Sequence, residues 1–77
     1  MKVEVMFFGV LTELMKNKKC SFYDCEDTES LLKKLYEVNA DLRNKTFQIA
    51  VNNELITQNK ALQDGDKIAL MPPFAGG

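Results

Sequence analysis

The stretch Asp64-Gly65-Asp66-Lys67-Ile68-Ala69-Leu70-Met71-Pro72-Pro73-Phe74-Ala75-Gly76-Gly77 decides the fold of this chain. Asp64-Gly65-Asp66 is turn chemistry, because glycine reaches positive φ without a Cβ penalty. From Lys67 to Met71 the side chains alternate, with Ile68 and Leu70 inward, which is the period of a strand lying with one side on a core. Pro72 ends that strand. It has no N–H for a sheet ladder, and the residue before a proline is held extended, so Met71-Pro72-Pro73 should lead the chain out of the sheet. Residues 1–71 are therefore expected to form one domain, and 72–77 an extended C-terminal tail ending in Gly-Gly.

The rest of the chain supplies partners for this strand. Val3, Val5 and Phe7 alternate with Lys2, Glu4, Met6 and Phe8, a first strand with one apolar face. Gly9 breaks the run, and the spacing of Val10, Leu11, Leu14 and Met15 predicts a short helical segment. After the polar loop Lys16-Asn17-Lys18-Lys19, the run Cys20-Ser21-Phe22-Tyr23-Asp24 has the aromatic content of an edge strand that pairs back on the first. Thr28 is the expected N-cap of the main helix, with Asp27 and Glu29 placing negative charge where the helix dipole favours it. Leu31, Leu32, Leu35, Tyr36 and Val38 form the apolar stripe of that helix, which should stop at Asn39 in a left-handed cap, with Asp41 to Lys45 as a loop. Phe47, Ile49 and Val51 predict a strand, Asn52-Asn53 a turn, and Leu55-Ile56 a stub of strand. The order is ββαβββ, an α+β fold in which one mixed sheet carries one main helix across it.

Composition narrows the function. The chain has 77 residues, 10 basic against 11 acidic, and no His. A domain this small buries only about 60% of the surface its unfolded chain exposes. That supports one core and one binding surface and leaves no room for a deep enclosed active site. Near-zero net charge with scattered lysines gives no field of the kind that drives nucleic-acid or anionic-membrane binding, so neither partner is expected. No apolar run approaches the roughly 20 residues of a membrane span, and Met1-Lys2-Val3-Glu4 opens a strand pattern instead of a signal peptide, so the expected location is cytoplasmic. Cys20 and Cys25 are the only thiols. Two cysteines without histidine cannot complete a tetrahedral metal site, and they are expected to be reduced cysteines on or near a strand. Asp24, Glu26, Asp27 and Glu29 form an acidic segment that the start of the helix already accounts for.

Chemistry is expected at the tail. Gly76 and Gly77 lack Cβ atoms, so they can thread a narrow channel and bring their backbone close to a reactive group in another protein. The plain alternative is an inert terminus that happens to end in glycine. The first strand with Phe7-Phe8, Val51-Asn52 before a turn, Leu62 ahead of Asp64-Gly65-Asp66, and above all the Pro-Pro pair before a terminal Gly-Gly resemble the family of molybdopterin synthase small subunits. The resemblance spans essentially the whole chain.

That resemblance implies a ubiquitin-like β-grasp fold and a sulfur-carrier function in molybdenum cofactor biosynthesis. It implies that a ubiquitin-activating-type adenylyltransferase uses ATP to adenylate Gly77, that a sulfur donor then leaves a thiocarboxylate, and that the large subunit of molybdopterin synthase passes this sulfur to a cyclic pyranopterin phosphate. The assembly implied is a heterotetramer with two copies of each subunit. Partner contacts are implied at Phe8, Leu55 and Met71, and strand parity independently turns Phe8 and Met71 away from the helix. A contact to the partner is likewise implied at Phe74, within the tail. No cofactor or metal bound by this chain is expected, since it offers no base, nucleophile or phosphate loop of its own. Two alternatives share the fold and the Gly-Gly end: a thiamine-pathway sulfur carrier, which usually lacks the Pro-Pro pair, and a ubiquitin-like modifier joined by amide bonds to lysines.

Overall fold

The computed structural model describes residues 1–73. Five strands form one mixed sheet: β1 (Lys2–Phe7), β2 (Lys19–Tyr23), β3 (Gln48–Val51), β4 (Glu54–Ile56) and β5 (Lys67–Met71), in the order β2-β1-β5-β3-β4. β1 and β5 lie parallel at the centre, with Val5 opposite Ile68 and Phe7 opposite Leu70. β2 pairs antiparallel with β1 and is an edge strand, as its length and position in the sequence suggested. β3 runs antiparallel to both β5 and β4, with Val51 opposite Ile68 and Ala50 opposite Leu55. The expected ββαβββ order is the observed one, with α1 (Val10–Met15) as the short helical segment and α2 (Thr28–Val38) as the main helix.

Parity builds the core. Val3, Val5 and Phe7 of β1, Val51 of β3, and Ile68 and Leu70 of β5 are all buried on one face of the sheet. Leu31 and Leu35 of α2 and Leu11 and Met15 of α1 belong to the same cluster, together with Cys25, Leu42 and Leu62. Each such side chain contributes roughly 1.5–3 kcal/mol relative to exposure. The rest of the predicted stripe is less buried. Leu32 and Tyr36 are half-buried, while Val38 is exposed at the end of α2 and Val10 at the start of α1.

The caps differ from expectation at both ends of α2. Asp27, not Thr28, is the N-cap: its backbone is extended and its Oδ1 accepts the Ser30 N–H at 2.9 Å. Thr28 is buried and faces a distant loop instead. Its hydroxyl donates to Asn59 Oδ1 at 3.0 Å and accepts the Lys60 N–H at 3.0 Å. Asn59 Oδ1 also accepts the Glu29 N–H, and its amide nitrogen donates to Asp27 Oδ2. The start of the helix is thus capped in part by a residue from beyond β4, and this stitching also holds Leu62 in the core through its N–H to Glu26 O.

At the other end Asn39 is extended, with φ −148°, and not left-handed. The reason is its side chain, which accepts the Asp41 N–H and donates to Leu14 O. Asn39 therefore caps a further element, the 3₁₀ turn Ala40–Asn44, where a loop was expected. Leu42 of this turn is fully buried. Both cysteines are free: Cys20 is half-buried on β2, and Cys25 is fully buried just after it. Burial pushes the Cys25 thiol up, an effect that nearby Lys34 partly offsets. Among the described residues no helix is long and apolar enough to cross a membrane.

Two outcomes test this account. Leu42→Ala should lower stability by about 2–5 kcal/mol in urea unfolding, since it opens a cavity in the core; a change under about 0.5 kcal/mol would place Leu42 outside it. Asp27 is held below the usual carboxylate range, first by the Ser30 backbone N–H and then by the Asn59 amide. A depressed carboxylate adds stability above its unfolded pKa, near 3.9, that is lost as pH falls through the folded value. The stability advantage of wild type over Asp27→Asn should therefore shrink from about pH 4 downward in urea midpoints measured against pH, and a constant difference would remove the Asp27 charge from the balance.

Candidate functional site

The face of the sheet opposite α2 carries the second apolar surface of the molecule. Outward residues of adjacent strands fall in rows, and the observed register makes one row of Met6, Ala69, Ala50 and Leu55, crossing β1, β5, β3 and β4. Its centre is two alanines and its ends are long side chains, so the row is a trough with walls. Phe8, just past β1, and Met71, opposite Gln48 on β3, extend the same surface toward the end of β5. The result is an open groove of about 520 Å³, with Gln48 and Asn53 as its polar contributors.

Each wall is held by the local fold. The Phe8 N–H donates to Leu70 O at 3.1 Å, which continues the central ladder one residue past β1 and keeps the Phe8 backbone beside Met71. Phe8 remains 44% exposed, a large apolar residue the core does not use. Leu55, 58% exposed, follows the Asn52-Asn53 turn, in which both residues have positive φ as a tight hairpin turn requires. Asn52 fastens that turn to the start of β5: its Oδ1 accepts the Lys67 N–H at 3.0 Å, and its amide nitrogen donates to Asp66 Oδ1 at 2.9 Å. Leu55 is thereby fixed relative to the strand that leads into the tail.

The structure thus brings Phe8, Leu55 and Met71 together, the three positions that parity and resemblance selected. Phe74, Gly76 and Gly77 lie outside the described residues, as does most of the tail expected at 72–77. Sequence reasoning did not single out Met6, Ala50 or Ala69. The alternation of β1 already set Met6 with Phe8, but the meeting of the two alanines depends on the pairing of β3 with β5. Beyond Met6 and Phe8 the surface continues to Lys18 and Lys19, so one flank is basic. Among the described residues, the groove lining holds no carboxylate, thiol or amine. Such a lining supports binding through apolar burial, with polar contacts at its margin.

Comparison with known proteins places the fold. The model of the ThiS family matches residues 5–77. The chain is 31% identical over 83 aligned positions to the molybdopterin synthase sulfur carrier subunit of Chlamydomonas reinhardtii, with all of both chains covered. In the protein-protein complex of subunits 1 and 2 of molybdopterin-converting factor from Helicobacter pylori 26695, a chain 35% identical superposes with a TM-score of 0.75 and full coverage of both. Putative molybdopterin converting factor subunit 1 from Pyrococcus furiosus has a TM-score of 0.87 at 19% identity, covering 95% of this chain and 98% of that one. SAMP1 from Haloferax volcanii has 0.82 at 22%, with both chains fully covered. At such identities the last two speak for the fold alone, a ubiquitin-like β-grasp. With a family match over nearly every residue and full-length kinship to a sulfur carrier subunit, this chain belongs to the ThiS family.

Proposed function

We propose that this protein is the sulfur carrier subunit of a molybdopterin synthase, and that it works as two parts: a β-grasp body that docks, and a tail, residues 72–77, that carries sulfur on Gly77. The observation that carries this reading is the apolar groove of Phe8, Leu55 and Met71, lying where β5 gives way to Pro72-Pro73 in a chain with full-length kinship to such a subunit. A body docked through this face would present the tail to the same partner that covers the groove.

The chemistry follows from the carboxylate. With a pKa of about 3.3–3.7 it is an anion at neutral pH and a poor electrophile. An adenylyltransferase of the ubiquitin-activating type therefore makes the acyl adenylate: a carboxylate oxygen of Gly77 attacks the α-phosphorus of ATP, and pyrophosphate leaves. A hydrosulfide-level donor then attacks the acyl carbon, AMP departs, and a thiocarboxylate remains. In the large subunit, with two copies of each chain in the assembly, this sulfur passes to a cyclic pyranopterin phosphate and water restores the carboxylate. Two deliveries complete the dithiolene. This chain's part is to bind, to reach and to be regenerated.

The thiamine-pathway carrier and the ubiquitin-like modifier remain the competing readings, and the fold-level likeness to SAMP1 fits the second of these. Intact mass with fragmentation, after incubation with the activating enzyme, ATP and a sulfur source, should show one oxygen replaced by sulfur at Gly77, and deletion of Gly77 should abolish the product while leaving the melting temperature unchanged. A terminus found only in amide linkage to other proteins would move the assignment to a modifier; co-purification with a thiamine-pathway synthase would move it to that pathway. The groove is tested separately. Phe8→Ala should weaken binding to the large subunit by about 2 kcal/mol, roughly thirtyfold in Kd by titration calorimetry, as expected for a buried aromatic anchor. Folding stability should stay within about 0.5 kcal/mol, and unchanged affinity would exclude the groove from docking.

A further inference from the structure

β1 and β5 end side by side, and their parallel register carries past the last pairs: Phe7 is opposite Leu70, so two residues further along Gly9 meets Pro72. At this point the two chains part. Gly9 turns into α1 with φ 60° and ψ −139°, a conformation that L side chains rarely adopt, and the turn is held by the Thr12 N–H donating to Gly9 O and the Thr12 hydroxyl donating to Phe7 O. Pro72 is half-buried, and Pro73 beyond it is exposed. The space above Gly9 is filled by the proline ring. A Cβ built on Gly9 would lie 2.7 Å from Pro72 Cγ and 3.3 Å from Cδ, closer than real contacts allow at the first of these. With φ at Pro72 fixed, a change of ring pucker gives only limited relief, and the remainder must come from shifting the backbone at the junction of the Gly9 turn and the root of the tail.

We infer that Gly9 is a positioning residue for sulfur delivery: by having no side chain it seats the Pro72 ring against the β1–α1 turn, and this seat fixes the direction in which the chain leaves the sheet toward the partner's reaction centre. The inference rests on the sulfur-carrier reading proposed above. It also gives Pro72 a task beyond ending the ladder, namely to convert the rigid edge of the sheet into a rigid exit. A fixed root defines where the tail begins, and displacement of a reacting group by about 1 Å can cost up to a hundredfold in rate.

The test is a double-variant cycle read as single-turnover sulfur transfer by pre-loaded protein at saturating large subunit, with the half-saturating concentration measured alongside. Gly9→Ala should lower the saturated rate by about tenfold to a hundredfold and leave the half-saturating concentration nearly unchanged, since the groove is intact. Pro72→Ala, which removes the Cγ–Cδ bridge from the seat, should lower the rate less. The double variant should return to the rate of Pro72→Ala alone. Should Gly9→Ala fail to fold by circular dichroism, the Pro72→Ala rate carries the test, and a wild-type rate there overturns the inference. So does a Gly9→Ala loss that the second substitution does not relieve, which would trace the effect to backbone strain at positive φ alone. A wild-type protein that cannot be loaded with sulfur would instead sink the sulfur-carrier reading.

Discussion

Parallel pairing of β1 with β5 is the contact on which the rest of the molecule depends. It joins residues from opposite ends of the chain, and parallel strands cannot be linked by a tight turn, so everything between them must fold as a crossover. Closing so long a loop costs entropy that grows only logarithmically with length. Burial of Val5, Phe7, Ile68 and Leu70 across the pair offsets it. The register of this pair then fixes three things at once. Val5 with Ile68 and Phe7 with Leu70 become the floor of the core, Met6 and Ala69 become wall and floor of the groove, and Gly9 is left beside Pro72. A slip by one residue would exchange core and groove faces along a whole strand, and the burial of the core forbids it.

Much of this was legible in the sequence because strand parity is a local rule. The alternation in Lys2–Phe8 and Lys67–Met71 identified the inward residues correctly, and the same rule, with the family resemblance, selected Phe8, Leu55 and Met71. What escaped local reading has a common cause. Asp27 and Thr28 are both good N-cap residues by chemistry, and the choice between them is made by Asn59 and Lys60, which engage the Thr28 hydroxyl from a distant loop. Asn39 is a plausible left-handed cap until Leu14 offers its carbonyl to the Asn39 amide. Leu42 sits among polar residues, and only its tertiary position makes Asp41-Leu42-Arg43 a turn wrapped around a core anchor. The alanine floor of the groove likewise needed the pairing of β3 with β5.

A surface that exposes Phe8, Leu55 and Met6 would be a liability on an ordinary monomer, since contiguous apolar patches mark interaction sites or aggregation hazards. Here the risk is contained by geometry. The patch is one end of one sheet face, while Lys2, Glu4, Lys67 and Asn52 occupy outward positions toward the other end. The strands at both edges are short, at five and three residues, and Lys19 opens one of them. Short, charged edges resist pairing with other chains.

Division of labour between the two faces follows. Along β1 and β5, alternate positions do different work: Val5, Phe7, Ile68 and Leu70 hold the domain together, while Met6, Phe8, Ala69 and Met71 line the groove on the opposite face. Substitution on the groove side therefore leaves the core packing untouched, so an interface can change without loss of the fold. The two tasks meet only where the strands end. There the core-facing ladder closes with the Phe8 N–H on Leu70 O, the groove closes with Phe8 and Met71, and Gly9 receives Pro72. Under the sulfur-carrier reading proposed above, this junction sets where the root of the tail lies relative to the groove. Gly9 has no side chain to hold Pro72 away and Pro72 has no freely rotating φ, so their contact leaves that junction few ways to move.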